Sequence, residues 1–163
     1  MQEMSESNRR YAEEFARGDL PSSPRKKLAV LTCMDVRLDV QRMLGLDLGD
    51  AHIIRNAGGS LTEDSVRSLL ISSLLGTEEV VVIHHTDCRM RDVTEDELRT
   101  KAAQKTGAIP PFELGALPDL QQSVRATVAE IDESPWLIFE RVWGFVYDVS
   151  TGLLDEVVGR KDP

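Results

Sequence analysis

Apolar residues along the chain follow two alternating periods. Residues 28–33 (LAVLTC) and 78–88 (EEVVVIHHTDC) carry nearly continuous apolar runs of strand length. Such runs mark strands buried on both faces, as in a parallel sheet. Residues 51–56 (AHIIRN) predict a further strand, followed by the glycine turn AGGS. Between the strands, apolar residues recur at helical spacing. Residues 61–76 predict a helix capped by Thr62, with Glu63 and Asp64 at its positive end and Gly76 stopping it. Val66, Leu69, Leu70 and Leu74 would form its buried stripe. Residues 94–107 carry a Thr94–Glu97 capping box. Residues 118–134 predict another helix, with Leu120, Val124, Val128 and Ile131 inward.

The remaining segments complete the frame. Residues 5–17 predict a short amphipathic helix with Tyr11 and Phe15 on one face, and residues 19–27 a Pro/Ser linker. Residues 39–45 make a short helical turn ended by Gly45, and residues 107–117 look irregular. VWGFVYDV and LLDEVV flank Ser150-Thr151-Gly152, a hairpin signal. The expected fold is therefore α/β: a mainly parallel central sheet flanked by helices, with an antiparallel C-terminal edge hairpin.

Length and charge narrow the setting. At 163 residues the chain suits one domain with a real core. A net charge of −9 argues against nucleic-acid and anionic-membrane partners, which need a basic face. Val80–Ile83 is the longest aliphatic-only stretch, too short to span a bilayer, and the N-terminus lacks the apolar core of a signal peptide. A cytoplasmic protein is the expectation. There, two cysteines point to metal or redox chemistry more than to a structural disulfide.

Both cysteines close an apolar run. Cys33 ends LAVLTC, and Cys88 lies just past the third strand in HHTDC. Ligands in open α/β sheets collect at the carboxyl ends of strands, so the two should share a rim. Histidine and cysteine at H-x-x-C spacing let one turn offer an imidazole and a thiolate to one ion. Two sulfurs and one nitrogen suit Zn²⁺ with a fourth position left over. Two buried apolar cysteines, or a disulfide between them, are the alternatives. Successive strand residues face opposite ways, so only one of His84 and His85 is expected to bind. His52, near Asp50, reads as structural. Asp35 and Arg37 follow Cys33 at alternate positions. Arg37 could hold Asp35 through a bidentate pair and steer it away from the metal, or the two could be a surface ion pair of little energetic value.

Cys33-x-Asp35-x-Arg37 followed by His85-x-x-Cys88 resembles the two signature motifs of the β-carbonic anhydrases, and RNAGG at 55–59 resembles the segment between them. The resemblance covers residues 28–88 and suggests the short form of the family. It implies one Zn²⁺ per chain held by Cys33, His85 and Cys88. It implies zinc-dependent reversible hydration of carbon dioxide to bicarbonate and a proton by attack of zinc-bound hydroxide. Asp35 and Arg37 match the family's Asp–Arg dyad, and in some members the aspartate closes onto the metal. Arg55 matches an arginine near a bicarbonate-binding region, and Gly58 and Gly59 would bring backbone N–H groups close to the ligand. Pairing of Arg55 with a nearby carboxylate, and a simple helix-start turn for the glycines, are the plainer readings. Arg89 departs from the glycine common after the second cysteine, which bears on pocket shape. The family also implies a homodimer or larger homo-oligomer, with residues 1–27 packing on the partner through Tyr11 and Phe15; the plainer reading is a helix that covers its own chain's core. Two other functions stay open: hydrolysis of carbonyl sulfide or carbon disulfide on the same scaffold, and a non-catalytic zinc-stabilised binding protein.

Overall fold

The computed structural model describes residues 1–91, 93–117 and 119–159. One five-stranded sheet forms from β1 (Leu28–Cys33), β2 (Ala51–Asn56), β3 (Glu79–His85), β4 (Arg141–Tyr147) and β5 (Leu154–Gly159). Its order is β2-β1-β3-β4-β5. The β2–β1, β1–β3 and β3–β4 pairs are parallel, and β4–β5 is antiparallel. The expected α/β class and edge hairpin are what the chain adopts. The helices are α1 (Gln2–Glu14), α2 (Val40–Leu44), α3 (Glu63–Leu74), α4 (Glu95–Thr106) and α5 (Leu120–Glu133). None of the helices among the described residues is long and apolar enough to cross a membrane. Pro118, where the sequence begins its last predicted helix, and residues 160–163 lie outside the described residues.

Local chemistry accounts for most boundaries. Both predicted capping residues work: the Thr62 hydroxyl accepts from the Ser65 amide, and Thr94 and Glu97 cap each other reciprocally. Asp39 caps α2, and Gly45 ends it in the left-handed conformation at φ 61°. Strand alternation sends Ala29 and Leu31 to a core shared with Leu69 of α3 and Val128 and Ile131 of α5, while Val30 and Ile83 face Val40 on the other side.

Two helices depart from expectation. Leu74 is 74% exposed, because α3 turns Ser65, Leu69 and Ser72 toward the sheet. Small serines allow close approach, and Ser72 is recruited into hydrogen bonds with His52 Nδ1 (2.7 Å) and Thr77 Oγ1 (2.6 Å). His52 Nε2 donates to the Ser22 carbonyl, so this histidine is structural as expected. α1 begins and ends three residues earlier than predicted, and Phe15 is already extended at φ −76°, ψ 111°.

Asp50 ties the linker to β2. Its carboxylate accepts from the Asp47 amide (2.9 Å) and from Arg25 Nε (2.9 Å). The Asp47 amide first, and Arg25 second, hold its pKa below the usual carboxylate range. A depressed folded-state pKa adds stability above the ordinary carboxylate value, near 4, which is lost as pH falls through the lower folded value. Asp50→Asn should therefore be less stable than wild type at pH 7, with the gap closing on acidification. Urea unfolding midpoints at both pH values read this directly.

Candidate metal centre

The parallel register of β1 and β3, with Thr32 opposite Ile83, places the ends of both strands on one rim. Cys33 closes β1 and His85 closes β3. The turn after β3 passes through Asp87 at φ 52° and brings Cys88 back. The ligand atoms of Cys33, His85 and Cys88 all lie within 4.8 Å of one another, and all three residues are buried. The shared rim inferred from sequence is thus realised, and both cysteines are free thiols.

His85 is set up to bind through Nε2. Its Nδ1 donates to the Thr86 carbonyl at 2.8 Å, which fixes the tautomer and leaves a lone pair on Nε2. Nε2 is buried, makes no well-formed hydrogen bond, and faces the Cys33 sulfur. A buried polar atom left unsatisfied costs about 1–3 kcal/mol, and a cation shared with two sulfurs removes that cost. The thiols fit as well. Their mutual hydrogen bond is the largest influence on both, pushing Cys33 down and Cys88 up. Burial opposes the drop at Cys33, while His85 and the amides of Asp35 and Gly58 reinforce it. The donor set suits a borderline-soft cation. His84 stays outside this group. It is fully buried, and burial pushes its pKa down to about 4 against the raising effect of the Gly59 backbone.

Asp35 and Arg37 form the bidentate pair read from the sequence. Arg37 Nε donates to Asp35 Oδ1 (2.9 Å) and Nη2 to Oδ2 (2.8 Å), while the Arg37 amide donates to Oδ1 (2.9 Å). These contacts hold the Asp35 carboxyl far below the usual carboxylate range. Asp35 Oδ2 stands 4.0 Å from His85 Nε2, beside the ligand atoms.

Among the described residues Arg55 pairs with no carboxylate. Its Nε donates to the Cys33 carbonyl (3.0 Å) and Nη2 to the Asp35 carbonyl (2.6 Å), so it braces the Cys33–Asp35 backbone from behind. Gly58 and Gly59 are buried, at φ 79° and 73°. A Cβ on Gly59 would sit 3.0 Å from both Thr32 C and Cys33 N. For Gly59 the close approach is therefore to the β1 backbone, while the Gly58 amide reaches Cys33. Gly59→Ala adds left-handed strain to a backbone clash, about 2–4 kcal/mol in all. It should lower Tm by roughly 4–16 °C. It should also loosen metal retention through the displaced Cys33, as read by dialysis against a chelator. Arg89 is exposed. Sequence reading missed Asp87, whose carboxylate takes a hydrogen bond from Arg37 Nη1 at 2.7 Å. The one signal was its position between the two ligands of HTDC.

Known proteins resemble this chain in sequence and fold. The carbonic anhydrase family profile matches residues 28–133. The β-carbonic anhydrase 1 of Mycobacterium tuberculosis is 45% identical over 90% of this chain and 91% of its own length. The crystal structure of carbonic anhydrase from Streptococcus mutans superposes with a TM-score of 0.88 at 39% identity, covering 96% of each chain. A carbon disulfide hydrolase structure superposes with a TM-score of 0.71 at 30% identity, over 95% of this chain and 90% of that one.

Proposed function

The chain belongs to the β-carbonic anhydrase family, and on that premise we propose that it catalyses reversible hydration of carbon dioxide to bicarbonate and a proton, with Zn²⁺ held by Cys33, His85 and Cys88. The observation that carries the reading is the position of Asp35, held by Arg37 with Oδ2 4.0 Å from His85 Nε2. A zinc ion so bound would supply a water acidified enough to act as a nucleophile near neutral pH. Asp35, kept anionic, would offer a fixed acceptor beside the ligand atoms, 4.0 Å from His85 Nε2, and orient the attacking water. Arg37 occupies both carboxylate oxygens and keeps Asp35 from turning onto the metal. Leu38, Met90, Tyr147 and Val149 pack around the two cysteines. That apolar surround suits a small nonpolar substrate such as carbon dioxide. Arg55 acts here through the backbone of Cys33 and Asp35.

The likeness to carbon disulfide hydrolase favours one second reading, hydrolysis of carbon disulfide or carbonyl sulfide. Both are small and nearly apolar, so the same wall admits them. Paired assays on zinc-loaded protein separate the two: proton release from carbon dioxide, and H₂S release from carbonyl sulfide and carbon disulfide. Fast proton release with negligible H₂S supports the hydration reading, and the reverse overturns it.

The proposal extends to a homodimer. α1 has 13 residues and buries none of them. An isolated helix of that length is marginal in water. Tyr11 and Phe15 meet in a tilted pair at 5.4 Å between ring centroids yet stay 57% and 43% exposed, and Val36 beside the dyad is 97% exposed. A second copy of the chain would cover these groups. Deleting residues 1–17 should weaken self-association and lower activity together. Sedimentation equilibrium with a parallel rate assay measures both, and a fully active monomer would refute the arrangement.

A further inference from the structure

The Arg37 guanidinium has a second set of partners that the dyad does not account for. Nη1 donates to Asp87 Oδ2 at 2.7 Å, and Nη2 donates to the Asp87 carbonyl at 3.0 Å. We propose that Asp87 is a positioning residue: it anchors the far side of Arg37 to the turn that carries His85 and Cys88, and so sets where Asp35 stands relative to the metal ligands. The inference rests on the function proposed above.

Three observations support it. First, Asp87 pays for its place in backbone strain, since its φ of 52° is left-handed, a conformation shared among described non-glycine residues only with Lys27. Aspartate tolerates that region better than most residues, and the conformation turns its carbonyl toward Arg37. Second, the Asp87 side chain is 72% exposed, and its hydrogen bond is to Arg37. Core packing therefore does not explain a carboxylate here. Third, the chain of contacts runs from Asp35 through Arg37 to the residue beside Cys88. Without that anchor, a long, rotamer-rich arginine and its aspartate could swing as one unit. With Asp35 Oδ2 only 4.0 Å from His85 Nε2, a small swing brings the carboxylate among the ligand atoms. An exposed ion pair adds little stability, so the consequence should appear in orientation and not in melting temperature.

Asp87→Gly removes the carboxylate while relieving the left-handed strain, and Asp87→Asn keeps an acceptor oxygen. On zinc-loaded protein with metal content verified, Asp87→Gly should lower kcat about tenfold with KM within about twofold. Tm should stay within about 2 °C. Asp87→Asn should recover most of the loss. In an Arg37→Ala background, Asp87→Gly should have no further effect, because the two act as one unit. A second readout needs no turnover. In the Co²⁺-substituted protein, visible absorption reports anion binding to the metal. Asp87→Gly should weaken a thiocyanate titration about fivefold or more, as the freed Asp35 competes for the metal. Unchanged kcat together with an unchanged titration in Asp87→Gly would overturn the proposal, as would an equal further loss in the Arg37→Ala background. A wild type that does not hydrate carbon dioxide would refute the proposed reaction and leave the Co²⁺ titration to decide the role of Asp87.

Discussion

Cys33→Ser, His85→Ala and Cys88→Ser should each lose the bound metal and, with it, all measurable carbon dioxide hydration. The three ligand atoms lie within 4.8 Å of one another in a buried site, and among the described residues no other group of histidine, cysteine or carboxylate side chains stands so placed. Disturbing only a residue that orients a ligand commonly costs 10–100-fold in metal affinity. Removing a direct ligand should cost more, on the order of 10³-fold or greater, enough to strip the ion during dialysis against a chelator. His84→Ala is the control. His84 is equally buried but lies outside the group, so this variant should be destabilised yet keep full metal. Elemental analysis of the four proteins decides the matter. Full metal in His85→Ala beside depletion in His84→Ala would mean that the histidine has been misassigned.

Arg37→Ala and Asp35→Asn should lower kcat/KM by about 10²-fold or more while metal content stays full, the scale of losing one positioned catalytic group. The cause can be separated from simple protonation. Arg37 holds the Asp35 carboxyl well below the ordinary range, chiefly through their side-chain hydrogen bonds. Removing Arg37 lets that pKa rise toward the ordinary carboxylate value near 4, still far below neutrality. Asp35 thus remains anionic at pH 7 in Arg37→Ala, and the lost rate reflects a misplaced carboxylate and not a neutral one. The Arg37→Ala defect should accordingly be full at about pH 6.5, where Asp35 is already ionised, and ease toward about pH 9 as hydroxide outcompetes the freed carboxylate for the metal. Rates across that range, with metal measured in each sample, test the assignment. Near-wild-type rates in metal-replete variants would reduce the pair to a surface ion pair beside a ligand.

Much of this was legible along the chain because its causes are local. The limits of β1 follow from one apolar run, the start of α4 from a Thr94–Glu97 capping box, and the stop of α2 from Gly45, all within a few residues. The motif spacing pointed to Cys33, His85, Cys88 and the Asp35–Arg37 pair. What escaped the sequence depends on distant packing. Leu74 fits a helical stripe but is exposed, because the register of α3 on the sheet is set by Ser65, Leu69 and Ser72. Strand alternation implied that only one of two adjacent histidines could bind. The direction each faces was decided only when β3 paired between β1 and β4. Arg55 gives its hydrogen bonds to the carbonyls of Cys33 and Asp35, acceptors that every residue possesses and no sequence pattern marks. Arg37 reaches Asp87 across 50 positions of chain. The sequence by itself determined which chemical groups were available and which short elements carried them. Only the tertiary structure decided which groups converge, because convergence depends on the parallel pairing that brings the ends of β1 and β3 onto one rim.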